Sequence, residues 1–130
     1  MKVQSFQDLI VWKKGIELVL AIYELTSHFP REEVFGLASQ MKRAAVSIPS
    51  NIAEGSMRGT RKDYRHFLYI SYGSGAELQT QIAVVKKLPF GVNLQYNDVD
   101  TILIEVMKIL NTLITKLGNK PDTCNLTPAT

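Results

Sequence analysis

Apolar residues recur along this chain at three- and four-residue intervals in four stretches, and no segment shows the two-residue alternation of a half-buried strand. The first stretch predicts a helix from about Phe6 to His28, with Leu9, Trp12, Ile16, Val19, Leu20 and Tyr23 as its core-facing stripe. Ser5 is placed to cap it, and Phe29-Pro30 stops it. The opposite side, with Val11, Leu18, Ile22 and Leu25, is apolar too, which is more than one core-facing stripe requires. Part of it is therefore expected to meet another subunit. The pattern restarts at Arg31, where Glu32 and Glu33 suit a helix N-terminus, and sets Leu37, Met41, Ala44, Ala45, Ile48 and Ile52 on one side up to Gly55.

Gly59 and Thr60 punctuate the next connection, and Thr60 can cap a third helix starting at Arg61 or Lys62. Tyr64, Phe67, Leu68, Ser71, Leu78, Ile82 and Val85 mark its buried stripe, and Leu88-Pro89 closes it. Gly73 and Gly75 lie inside it at a cost of up to about 1 kcal/mol each, so a neighbouring helix is expected to approach closely there. Beyond the loop from Phe90 to Tyr96, Asn97 or Asp98 can cap a fourth helix carrying Val99, Ile102, Val106, Ile109, Leu113 and Leu117, with Gly118 as its stop. Four helices with short connections predict an all-α, antiparallel up-down-up-down four-helix bundle over residues 1–118, followed by a polar tail at 119–130 that is expected to be disordered.

One stretch works against its own pattern. In KRAAVSIPSNIAEG, Lys42 to Gly55, the apolar spacing is helical, yet Pro49 sits in the interior, where it removes an N–H and crowds the carbonyl four residues back. A serine or water is expected to satisfy the freed Ala45 carbonyl, with a modest kink in the helix. Arg43, Ser47, Asn51 and Glu54 follow one another on a second, polar face of the same helix. Such a face can simply be solvated, or it can pair with Ser74, Glu77 and Gln81 on the third helix. The second choice predicts an Arg43–Glu77 contact.

The blocks FQDLIVWKKGIEL, EEVFGLASQMKRAAVSIPSNIAEG and KDYRHFLYISYGSGAELQTQI, in that order and spacing, resemble the bacterial four-helix bundle family encoded by intervening sequences in large-subunit ribosomal RNA genes. The resemblance spans about Phe6 to Leu117. Gly15 stands where that family usually has alanine, and Gly75 where a larger apolar residue is common. The family is also similar to the accessory variability protein of diversity-generating retroelements. That similarity implies a homopentamer that binds nucleic acid and docks a reverse transcriptase.

Composition adds little except in one place. The chain has 130 residues and a net charge of +3, but six cations between Lys42 and Arg65 against Glu54 and Asp63 give +4 there, leaving about −1 for the rest. Arg58, Arg61, Lys62 and Arg65 therefore form a basic turn that is a candidate for nucleic-acid phosphates. Basic residues opening a helix oppose its dipole, which hints at a use elsewhere. A charged turn that is merely soluble is the plain alternative, and docking an acidic protein partner is another.

No chemistry competes with binding. His28 and His66 stand apart with no ligand-like spacing, GSG at 73–75 lies within a helical pattern, and Glu54 and Glu77 have no nucleophile beside them. A non-enzymatic protein without metal or cofactor is expected. With one cysteine, Cys124, and no long apolar segment, the expected location is cytoplasmic, with no membrane partner. Val11, Leu18, Ile22, Leu103 and Ile104 are the candidate contacts of a homo-oligomer.

Overall fold

The computed structural model describes residues 5–118; the expected tail at 119–130, with Cys124, lies outside the described residues. The chain forms four α-helices, α1 (Ile10–Thr26), α2 (Leu37–Ser56), α3 (Arg61–Lys87) and α4 (Asn97–Leu117). Among the described residues there is no strand.

The helix starts differ from the expected ones for local reasons. Phe6–Asp8 is a short 3₁₀ turn in which Ser5 Oγ accepts from the Gln7 N–H at 3.1 Å, and Leu9 is extended, so α1 begins only at Ile10. Arg31–Glu33 is another 3₁₀ turn, and the non-helical Gly36 separates it from α2. The Glu33 carboxylate then accepts from the Leu37 N–H at 3.3 Å, serving the helix N-terminus from outside it. α3 begins where expected, with Thr60 Oγ1 accepting from the Asp63 N–H at 3.1 Å. Gly59, at φ +93°, makes the left-handed turn between α2 and α3 that a side chain would strain. α4 starts without a side-chain cap, contrary to the expectation for Asn97 or Asp98, and relies on Asp98 and Asp100 in its first turn.

Each helix packs on its neighbours in sequence, and α1 also packs on α4, while the backbones of the diagonal pairs stay farther apart. Paired contacts give the directions. Gly15 faces Pro49 and Tyr23 lies under Lys42, so α1 and α2 run oppositely. Gly55 faces Phe67 and Ser47 meets Ser74, which sets α3 against α2 in the same sense. Arg65 reaches Ile114 and Lys86 reaches Asp100, which does the same for α3 and α4. Lys14 pairs with Glu105 at 3.3 Å, tying α1 to α4. Phe29 and Phe90 pack edge to face at 5.1 Å between the loop after α1 and the loop after α3.

The core is built on a different face of α1 from the one expected, and on α4 it keeps the expected Val99 and Val106 while the rest of the buried line is shifted. In α1 the buried residues are Val11, Gly15, Leu18, Ile22 and Leu25, with Thr26. Of the stripe expected to be buried, Leu20 is 64% exposed and Tyr23 47%. In α4 the buried line is Val99, Leu103, Val106, Leu110 and Ile114, with Ile102, Ile109, Leu113 and Leu117 only partly covered. Four of the five residues expected at an oligomer interface are thereby corrected. Val11, Leu18, Ile22 and Leu103 fill the core of a single bundle, where each buried aliphatic side chain contributes about 1.5–3 kcal/mol, and no second copy can reach them. Ile104 alone of that set faces outward, 51% exposed.

The reason for the exchange of faces on α1 lies in its glycine. A Cβ on Gly15 would stand 3.2 Å from Pro49 Cβ, so the missing side chain is the space that the proline ring occupies. Pro49 is buried inside an uninterrupted α2. The serine expected near the freed carbonyl acts elsewhere: Ser71 Oγ donates to the Ile48 carbonyl at 2.9 Å rather than to that of Ala45. Gly75 meets the expectation of close approach, since Met107 of α4 occupies the place of its absent side chain. Gly73 does not, because open space lies beside it.

Candidate nucleic-acid interface

The basic turn lies where α3 starts and α4 ends. Antiparallel packing sets the first turn of α3, rich in cations, beside the last turn of α4, where the Gly118 N–H serves the Ile114 and Thr115 carbonyls and other last-turn carbonyls are left to outside donors. Arg61 donates to the carbonyls of Lys116 at 3.3 Å and Leu117 at 3.0 Å, and Arg65 Nε donates to that of Ile114 at 3.0 Å. The charges that oppose the dipole of α3 thus complement the negative end of α4. The unfavourable opening of the third helix is explained by its neighbour.

Three of the four basic residues share a groove, and Arg58 is not among those that line it. Arg58 donates through Nε and one terminal nitrogen to Glu54 Oε2, at 3.1 and 2.9 Å, and its guanidinium lies 4.9 Å from the centre of the Phe67 ring. Its charge is largely matched within one turn of chain. Arg61, Lys62 and Arg65, by contrast, line a groove of about 450 Å³ together with His66, Tyr69, Leu117 and Gly118. Among the described residues no carboxylate lines it. Arg65 stacks over Tyr69 at 5.2 Å from the ring centre, which fixes one wall. Its guanidinium also occupies the place a side chain at 118 would take, so glycine there admits the clasp. Lys62 is exposed and makes no hydrogen bond or ion pair with the described residues.

The arrangement suits an oxyanion. Each guanidinium has five N–H donors and spends only one of its nitrogens on the α4 carbonyls, leaving donors and full charge for the groove. The ammonium of Lys62 adds a mobile cation. Tyr69, 46% exposed, offers an aromatic edge on which a base or sugar can rest. His66, Leu117 and Gly118 are missed by a reading of the charges alone. The signal that finds them is the antiparallel order, which brings the end of the fourth helix to the start of the third.

The polar line on α2 is only partly joined to α3. Ser47 and Ser74 hydroxyls meet at 2.8 Å, and Asn51 Nδ2 donates to the Ser47 carbonyl and hydroxyl at 2.8 and 2.9 Å. Glu54 is taken by Arg58. Register brings Arg43 level with Glu77, yet no ion pair forms between them; Glu77 instead accepts from Gln81 Nε2 at 3.4 Å, and Arg43 lines a separate groove near Tyr23. The expected Arg43–Glu77 contact is corrected: each side chain leans outward from the seam that the two serines close. Gln81 is 7% exposed, and its Oε1 has no hydrogen-bond partner among the described residues.

Two further constraints bear on function. Among the described residues, no group of three or more His, Cys, Asp or Glu side chains is placed to hold a metal ion. No described helix is long and apolar enough to cross a membrane.

Comparison with protein-family models matches residues 7–112 to the family described as 23S rRNA-intervening sequence protein. No curated protein matches the chain.

Proposed function

The chain belongs to the 23S rRNA-intervening sequence protein family, and from that premise we propose a non-enzymatic protein that holds the phosphate backbone of RNA or DNA in the groove at the head of α3 and acts as a homo-oligomer. The observation that carries this reading is the lining of the groove: Arg61, Lys62 and Arg65, with no carboxylate among the described residues that line it. Two of these cations are held in place by the α4 carbonyls, so little side-chain freedom is lost when a phosphate arrives. Contacts of this kind fix position on a strand and carry no sequence information.

One copy offers few phosphate contacts. Three neutralised phosphates correspond to a log-log salt slope of about −2 to −3, and non-specific affinity from so small a footprint lies in the range of about 10⁻⁴ M. Several copies in one assembly raise the effective concentration of each next contact without any new chemistry. The resemblance implies five copies, and Ile104 is one exposed apolar residue available to an interface.

Fluorescence anisotropy with unrelated RNA and duplex DNA probes, titrated at several salt concentrations, tests the reading. Binding to both, weakening steeply with salt, is the expected result. No binding to either at low salt, together with binding to an acidic peptide, overturns it in favour of a protein-docking scaffold.

A further inference from the structure

Phe35 is 95% exposed, the most exposed large apolar side chain among the described residues. It is not on a loose loop. The Val34 N–H bonds to the Arg31 carbonyl at 3.1 Å and the Gly36 N–H to that of Glu33 at 3.1 Å, so an ordered turn presents the ring to solvent. With Tyr23, Val34 and Val46, each 40–47% exposed, it lines a groove of about 540 Å³ between the end of α1 and the start of α2. Lys42 and Arg43 stand at that groove with Ser39 and Ser47, and among the described residues no carboxylate lines it. A contiguous apolar surface with cations at its edge calls for an apolar partner that carries carboxylates.

The same chain offers such a surface. The outward side of α1 carries Ile10 and Leu20, 67% and 64% exposed, with Glu17 and Glu24 at helical spacing beside them. Lys13 lies on the same side, but Glu17 has only Lys14 at 3.9 Å and Glu24 only His28 at 3.1 Å among the described residues. Within one copy neither Glu17 nor Glu24 forms an ion pair with Lys42 or Arg43.

We infer that the Phe35 groove receives the outer face of α1 from a second copy of this chain, Leu20 packing against Phe35 and Val46, and Glu17 and Glu24 meeting Lys42 and Arg43. The two patches are different, so the contact is heterologous, the kind that a rotation closes into a ring. The inference rests on the homo-oligomer reading above and names its surface. It replaces the buried residues Val11, Leu18, Ile22 and Leu103 with exposed ones.

The test is the mass of the full chain in solution, by light scattering or sedimentation at micromolar concentration, for the parent and four variants. The parent is expected at a multiple of 14.6 kDa. Phe35→Asp, whose side chain supports nothing in the bundle, is expected to weaken association by about tenfold or more with the same helical circular dichroism and melting temperature. Glu17→Lys with Glu24→Lys, and Lys42→Glu with Arg43→Glu, are each expected to weaken it similarly. All four charge reversals together are expected to restore it. A parent that assembles but is unmoved by Phe35→Asp, or charge reversals that the fourfold variant does not rescue, overturns this surface and leaves the oligomer reading standing. A parent that stays at 14.6 kDa overturns both.

Discussion

Gly15 of α1 lies against the ring of Pro49 in α2, and a Cβ placed on it would stand 3.2 Å from Pro49 Cβ and 3.4 Å from Cδ. One unusual residue answers the other. A proline that leaves its helix short of one hydrogen bond is kept where it fills the gap beside a glycine, and the two helices close on that point. The pairing also decides which face of α1 is inside, because a helix rotated to bury Leu20 and Tyr23 would turn Gly15 away from the ring.

Enlarging Gly15 should therefore cost more than helix propensity returns. Gly15→Leu is expected to lower unfolding stability by about 1–3 kcal/mol or more through overpacking against a rigid ring. Gly73→Ala, in open space on α3, is expected to raise it by about 0.5–1 kcal/mol. Urea unfolding of the two variants checks the contrast, and equal effects of one sign would remove the account of Gly15.

The clasp on α4 predicts a stability role for Arg65. Arg65→Ala leaves the Ile114 carbonyl without that donor and should cost about 0.5–1.5 kcal/mol, with faster hydrogen exchange confined to the last turn of α4. Arg65→Lys should recover only part of this, since an ammonium has no planar fork to span carbonyl, ring and groove. Unchanged exchange in the Ala variant would show that the guanidinium holds nothing there.

How much of this was legible in the sequence depends on where the information lay. Helix number, the span of α3 with its Thr60 cap, and the stop of α4 at Gly118 follow from local residue chemistry, and they appear in place. The faces of α1 did not follow, because a stripe of Val11, Leu18, Ile22 and Leu25 reads as continuous only once Gly15 is counted as a core residue. Nothing in a glycine announces that a proline on another helix will fill its place. The basic turn was legible as charge and illegible as structure: Arg58, just past the end of α2, finds Glu54 four residues back, whereas Arg61 and Arg65 find carbonyls about fifty residues away. Contacts that long in sequence leave no local pattern.

Alkaline pH gives a separate check on packing at the α2–α3 crossing. Burial pushes the Tyr64 hydroxyl above its ordinary pKa of 10.0, because a phenolate there would lose hydration. Its folded value thus exceeds its unfolded one, so its contribution is whole below pH 10.0 and is lost as the pH rises through the folded value. Tyr64→Phe should lose less stability than the parent over that range. Parallel stability curves for the two proteins would place Tyr64 in solvent.

The most direct measurement concerns Lys62, the groove cation with no structural bond to the described residues. Arg61 and Arg65 also cap α4, so their variants mix binding with stability, whereas Lys62→Glu should leave the melting temperature unchanged. RNA and DNA affinity is measured for parent and variant from low to moderate salt. The account predicts an affinity loss of about tenfold or more at low salt, and a salt slope shallower by about 1 per engaged copy. Equal affinity and equal slope in a variant that melts with the parent would contradict the phosphate groove itself.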